Sequence, residues 1–313
     1  MINGRNSLRI TFCFVFFFEG LFMASLSQVA QVEFDNMVKE EYRSNGFILK
    51  DKVRTATGVI GNSYQFRTRG QIIATQTGFS DVVPTTDPGF RPVIANLAKW
   101  MAGDYIDDIE QLEVNFDTRL YTARAVNQAI GRRSDQIIIN SLSAAVLPPA
   151  QQIAANASST GANANLTMYK LRQALKVLDD NAVPETDRFL ICTGNNQATL
   201  LKDDHFTSRF FTYNDAMARG SLNGREVLGL NVVTIPNNTE GGLPKVGNNR
   251  TIFIFHRDAL GMAMGQDLTV KIDWVPQVYS WLVAGAYWAG SVAIDTRGIV
   301  SIVCDETVDT IDA

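Results

Sequence analysis

Between Asp117 and Val146 the chain reads as one uninterrupted helix, and few folds can accommodate it. Leu120, Ala123, Val126, Ile130, Ile137, Ile138, Ser141, Leu142 and Ala145 track one face. Arg119, Arg124, Arg132, Arg133 and Asp135 decorate the rest, and Pro148 and Pro149 stop it. About thirty residues at 1.5 Å rise give about 45 Å of helix, nearly three times the mean for globular domains. Heptad leucines are missing, so the helix is a strut and not half of a coiled coil.

What precedes it is unlike it. From Val53 to Val93 no helical period appears. Short strand-like runs (Val59-Ile60, Tyr64–Thr68, Gln71–Gln76, Asp81–Val83) alternate with Gly58, Gly61, Gly70, Gly78, Pro84, Pro88 and Gly89. Such a ribbon has too few apolar side chains for a core of its own; on these residues alone it reads as an ordinary surface hairpin, or else as an arm ordered by a neighbouring surface. Next come Asp104, Asp107, Asp108, Glu110 and Glu113. They lack calcium-loop spacing and suit the first turn of helices, where the dipole favours negative charge.

Composition narrows the function classes. The 313 residues are 46% hydrophobic and 19% charged, which describes a folded protein with a sizeable core. The net charge is −4 with both signs interspersed, so no basic block marks a sequence-specific nucleic-acid reader. Cys13, Cys192 and Cys304 are far apart and odd in number; they build neither a disulfide framework nor a zinc site. The two histidines are His205 and His256. No nucleophile or orienting partner can be assigned to either, and no GxSxG elbow occurs. Gly261–Gly265 lacks both a phosphate-loop Lys-Ser/Thr and a dinucleotide fingerprint. No catalytic, cofactor or metal site is expected, and the chain reads as a non-enzyme.

Ile10–Phe22, behind Arg5 and Arg9, resembles a signal peptide but is interrupted by Glu19 and is too short to span a bilayer. Glu19-Gly20 must be encoded by a purine-rich, ribosome-binding-like sequence, and two codons then separate it from Met23. Residues 1–22 are therefore expected to be upstream translation, with Met23 the start; a real signal peptide would make the chain a secreted surface protein. Leu26, Ala30, Phe34, Met37 and Val38 then mark a short amphipathic helix, equally consistent with an arm or with an ordinary surface helix.

After the long helix, Ala150–Ala164 is small, polar and of low complexity, and reads as a flexible connector. Thr167 is an N-cap for a helix ended by Asn181 and Pro184. Strands are expected at Arg188–Thr193, Glu226–Pro236, Thr251–His256, Val270–Val275 and Ile299–Val303, with a helix from Asn195 to about Lys202. Tyr279–Ile294 is the most apolar late segment, too short to cross a bilayer as a helix. This alternation indicates an α+β fold.

Three segments resemble those of tailed-bacteriophage major capsid (coat) proteins of the Hong Kong 97-like fold, in the podovirus branch. GNSYQFRTRG (61–70) is similar to the opening of that family's extended loop. DDIEQLEVNFDTRLYTARAVNQAIGRRSDQIII (107–139), with Phe116, Asp117 and Arg119, is similar to its acidic bend and spine helix. GSLNGREVLGLNVVTIPN (220–237) is similar to its Gly-rich turn, strand and polar loop. The resemblance implies an N-terminal arm (23–54), an extended loop (55–91), a peripheral domain (92–165, with the spine helix at 117–146) and an axial domain (166–273). Residues 274–313 would return to the peripheral domain as closing strands. It also implies hexamers and pentamers of an icosahedral head holding double-stranded DNA by non-specific contact. Partners would be a scaffolding protein, a portal protein and a decoration protein, with no membrane. Assembly would occur in host cytoplasm, and the chain would end in the virion.

On that reading Tyr64, Phe66, Arg67, Arg69, Gln71 and Phe79 are the intersubunit contacts of the extended loop. Asp117, Arg119, Arg132 and Arg133 are the contacts of the spine helix. The alternative is the shell of an encapsulin-type bacterial compartment. Some proteins of this fold crosslink through a loop lysine; Val53–Val93 holds only Arg54, Arg67, Arg69 and Arg91 as cations, so no such crosslink is expected.

Overall fold

The long helix begins where its capping residue stands. Asp117 accepts the Arg119 backbone N–H at 3.1 Å, and α1 runs Thr118–Ala144. The computed structural model describes residues 45–85, 87–109, 117–158, 161–202 and 222–308. Within them α2 is Met168–Asp180, capped by Thr167 and Asn181 as expected, and α3 is Gly194–Leu200. The first strands are β1 (Arg54–Thr57), β2 (Ser63–Arg69), β3 (Phe90–Asn96) and β4 (Ala98–Asp107). Then come β5 (Gln152–Ile153), β6 (Arg188–Thr193), β7 (Glu226–Val227), β8 (Leu230–Ile235) and β9 (Lys245–Val246). The last are β10 (Asn249–His256), β11 (Leu260–Val275), β12 (Ser280–Ala293) and β13 (Ile299–Asp305). The arm helix and the leader of the sequence reading lie outside the described residues.

Two sheets and a ribbon result. The four-stranded sheet has the order β1-β11-β12-β4, with β1 parallel to β11 and the rest antiparallel. The seven-stranded sheet runs β5-β13-β10-β6-β8-β7, with β9 beside β10. β6 is buried along its whole length, as its uninterrupted apolar run predicts. Among the described residues β2 and β3 pair only with each other.

The long helix lies along β12, and the two run in the same direction. Arg119 stacks on Trp281 at 5.2 Å. Further along, a side chain at Gly285 would collide with Val126 and Ile130. The Ser134 and Tyr287 hydroxyls are 3.2 Å apart, and those of Ser141 and Ser291 are 2.9 Å apart. From Arg119 to Ser141 a helix advances about 33 Å, and from Trp281 to Ser291 a strand advances about 33 Å. Strut and strand keep pace from end to end.

A second tie crosses the helix at its middle. Gly46 and Gly131 face each other so closely that a Cβ on either would strike the other's backbone. Phe47 donates its backbone N–H to the Gly131 carbonyl at 3.2 Å. Ile48 and Leu49 donate theirs to the Asp135 carboxylate at 3.2 and 3.0 Å. Asp135 was expected on the solvated face; it is buried. Desolvation pushes its carboxyl up to about 6, against the pull of those two backbone donors.

Other expectations are corrected by the pairing. Ala150–Ala164 is not a free connector: Gln152–Ile153 pairs with β13, and Gln151 donates to the carbonyls of Thr296 and Arg297. Asp104 and Asp107 lie in β4, not in a helical turn, and Asp107 accepts the Ile109 backbone N–H. Glu110 and Glu113 lie outside the described residues. Gln71–Gln76 and Asp81–Val83 have no partner strand among the described residues and form none. Glu226–Pro236 is broken at Leu228, whose φ of +51° turns the chain between β7 and β8. The expected domain boundary at 273/274 falls inside β11, because that strand begins at Leu260 and pairs with β12 throughout. β13 in turn belongs to the seven-stranded sheet.

Candidate assembly surfaces

The ribbon is anchored at one end and open at the other. Tyr64 and Phe66, two residues apart, point to the same side and meet edge-on at 4.9 Å. Phe66 is buried with Val59, Ala95, Leu97, Ala263 and Ile294. Its ring lies on Gly261, where a Cβ would sit 2.6 Å from it. Phe66 thus fastens the ribbon to its own chain. Tyr64 is half-buried beside it, while Arg67, Arg69, Gln71 and Phe79 are exposed. Arg69 stacks over Phe90 at 5.5 Å. Beyond β2 the loop turns at Gly78, whose N–H is held by Asp81 at 2.8 Å. It carries Ile73 at 77% exposure, Val82 at 91% and Phe79 wholly in solvent. Isolated exposed apolar residues are ordinary; five within twelve positions (Ile72, Ile73, Phe79, Val82, Val83) form a surface that calls for a cover.

On the helix the structure gives the singled-out residues partners within the chain. Asp117 is the N-cap. Arg119 lies over Trp281, whose indole N–H reaches Asp108 at 3.2 Å. Arg133 stacks 3.7 Å from the Trp100 ring. Arg132 is half-buried where the loop at 237–243 crosses the helix, and there the Gly241 N–H is held by Gln136. The sequence reading did not find the hairpin tip, where Trp274 stacks edge-on with Tyr279 and Trp281 at 5.1 and 5.3 Å. The aromatic residues flanking Pro276 were the signal for it.

The remaining titratable groups act as structural ties. His256 ends β10, and its Nδ1 accepts the Asp258 backbone N–H at 3.2 Å. It borders a cleft of ≈ 530 Å³ that is also lined by Arg54, Arg69, Asp258, Asp295 and Arg297. Arg297 is committed to Asp295 at 2.8 Å. Cys192 and Cys304 are buried, and desolvation pushes both thiols up to about 12. His205 and Cys13 lie outside the described residues. Among the described residues no group of three or more His, Cys, Asp or Glu could hold a metal ion. No described helix is long and apolar enough to cross a membrane.

The family model described as phage capsid protein matches residues 26–306. The chain belongs to the phage capsid protein family. Among solved structures, the head of Helicobacter pylori bacteriophage KHP40 is similar with a TM-score of 0.73 at 10% identity, covering 97% of this chain and 100% of that one. A structure from Mycobacterium phage Che8 gives 0.66 at 16%, covering 90% and 98%. The capsid of cyanophage P-SCSP1u gives 0.67 at 17%, covering 89% and 94%. At these identities the likeness is one of fold, and it extends over nearly the whole of each chain. No curated protein sequence matches. The α+β capsid fold expected from the loop and spine-helix segments is the fold found, and the chain is a capsid shell protein of the virion.

Proposed function

We propose that copies of this chain form the hexamers and pentamers of an icosahedral phage head enclosing double-stranded DNA. The carrying observation is the division of the subunit into a tied body and a loop whose apolar tip has no cover among the described residues. In this reading residues 55–91 lie across an adjacent subunit, and residues 23–54 brace the shell. A scaffolding protein guides assembly in the host cytoplasm, and portal and decoration proteins complete the head. A net charge of −4 suits a wall that touches DNA without gripping it. Individual contacts can be weak, because closure of a ring multiplies them.

Negative-stain electron microscopy of the protein, expressed alone and with its upstream neighbour gene, tests the reading. Closed shells or rings of five and six support it; monodisperse monomers under both conditions would overturn it. The absence of lysine from Val53–Val93 adds that shells boiled in detergent should run as single subunits. A covalent ladder would contradict that.

A further inference from the structure

The sheet edges of this subunit are not alike. In the seven-stranded sheet the outermost strands, β5 and β7, are two residues long. In the four-stranded sheet β1 has four residues, but β4 on the other side has ten. Short edge strands are how a fold avoids unwanted pairing. β4 lacks that protection: among the described residues its outer side pairs with nothing, and seven of its ten positions are exposed, Met101 and Tyr105 among them. The register with β12 puts Met101, Gly103 and Tyr105 opposite Ala286, Ala284 and Leu282, on the face turned away from α1.

Elsewhere the same chain holds a strand-like sequence without a sheet. Gln71–Gln76 (QIIATQ) is uncharged, free of Gly and Pro, and strand-like in sequence. In the subunit it pairs with no strand among the described residues, and Ile72 and Ile73 are exposed. Its own β4 is not beside it: Gln71 lines the cleft with Pro184, Asp258 and Arg297, beyond the Ala293 end of β12. Six residues extend about 20 Å, enough to cover more than half of a ten-residue edge.

We propose that residues 71–76 of a second copy add as a strand to the outer edge of β4. Backbone hydrogen bonds supply the pairing, and Met101 and Tyr105 offer an apolar landing for one of the two isoleucines. This rests on the shell reading and specifies which surfaces meet within it.

The test is amide exchange on the full chain, free and assembled, read by mass spectrometry. Peptides covering 71–76 and 98–107 should both slow on assembly, by at least about tenfold. Ile73→Pro removes one donor and fixes φ at a residue exposed in the subunit. It should leave the melting temperature of the free chain unchanged, cut shell yield at least about tenfold and abolish the slowing at 98–107. Ile73→Val should assemble normally. Unchanged exchange at 98–107 in shells overturns the proposal, as does slowing of only one of the two segments, which would place a different occupant on the edge. Failure of the unsubstituted chain to assemble is a separate result; it would remove the shell reading and this pairing with it.

Discussion

The helix Thr118–Ala144 and the loop at 70–89 are both long and both lack a compact partner domain of their own, yet they treat apolar side chains in opposite ways. On the helix Ile130, Ile138, Ile139 and Leu142 are covered by the sheet and by the segment at 46–49. Polar groups at that contact are matched in pairs: Ser134 with Tyr287, Ser141 with Ser291, Asp135 with two backbone N–H groups. In the loop Ile72, Ile73, Phe79, Val82 and Val83 face water. Folding of one chain explains the first arrangement. The second is what the proposed cover by a neighbouring copy would account for, so substitutions in the two regions should be read by different assays.

Ile138→Ala should be the most damaging of a set of probes, costing about 3–4 kcal/mol by urea denaturation, since its side chain is fully buried. A loss under about 1 kcal/mol would mean that the helix is less firmly seated than its contacts indicate. The next effect depends on pH. Asp135 releases its proton near 6 in the folded chain instead of near 3.8, so the folded state binds more protons between those values. Its contribution to stability is complete below 3.8 and lost as pH rises through about 6. Asp135→Asn cannot titrate; relative to the unsubstituted chain it should gain up to about 3 kcal/mol between about pH 4 and pH 7. No change in that difference would show the carboxylate to be solvated.

Tyr287→Phe removes one buried hydroxyl from its contact with Ser134 and should cost about 1 kcal/mol. Phe79→Ser sits at the other end of the comparison. Its effect on subunit unfolding should stay within about 0.5 kcal/mol, while the yield of shells falls. If the unfolding midpoint moved instead, the loop would belong to the subunit's own core.

The helix was legible because a repeat sustained over eight turns, a capping Asp117 and the Pro148-Pro149 stop all agree. Arg188–Thr193 was legible for a similar reason: a strand covered on both faces needs no alternation. The losses were non-local. Asp135 looks like any surface carboxylate until residues 86 and 87 positions earlier arrive to donate to it. Ala98–Asp107 was hidden because its acidic end reads as a helix start, although β12 supplies a partner for each residue from Ala98 to Asp107. Ala150–Ala164 looked structureless because small residues carry no pattern; its order comes from the backbone of β13. Of the loop contacts, exposure could be guessed from the lack of periodicity. The inward turn of Phe66 could not, since it depends on the absence of a side chain at Gly261.

The matched advance of α1 and β12 makes their alignment a matter of counting. Substitutions along either element change one contact at a time. Deleting a single residue near the middle of the helix would do something different: every later side chain would rotate by about 100° and slip back 1.5 Å. Ser141 would leave Ser291, and the turn leading to Pro148 would point elsewhere. A strand deletion would exchange the two faces of all that follows. The pair therefore behaves as two rulers of different graduation laid side by side, free to vary in what is written at each mark but not in the number of marks.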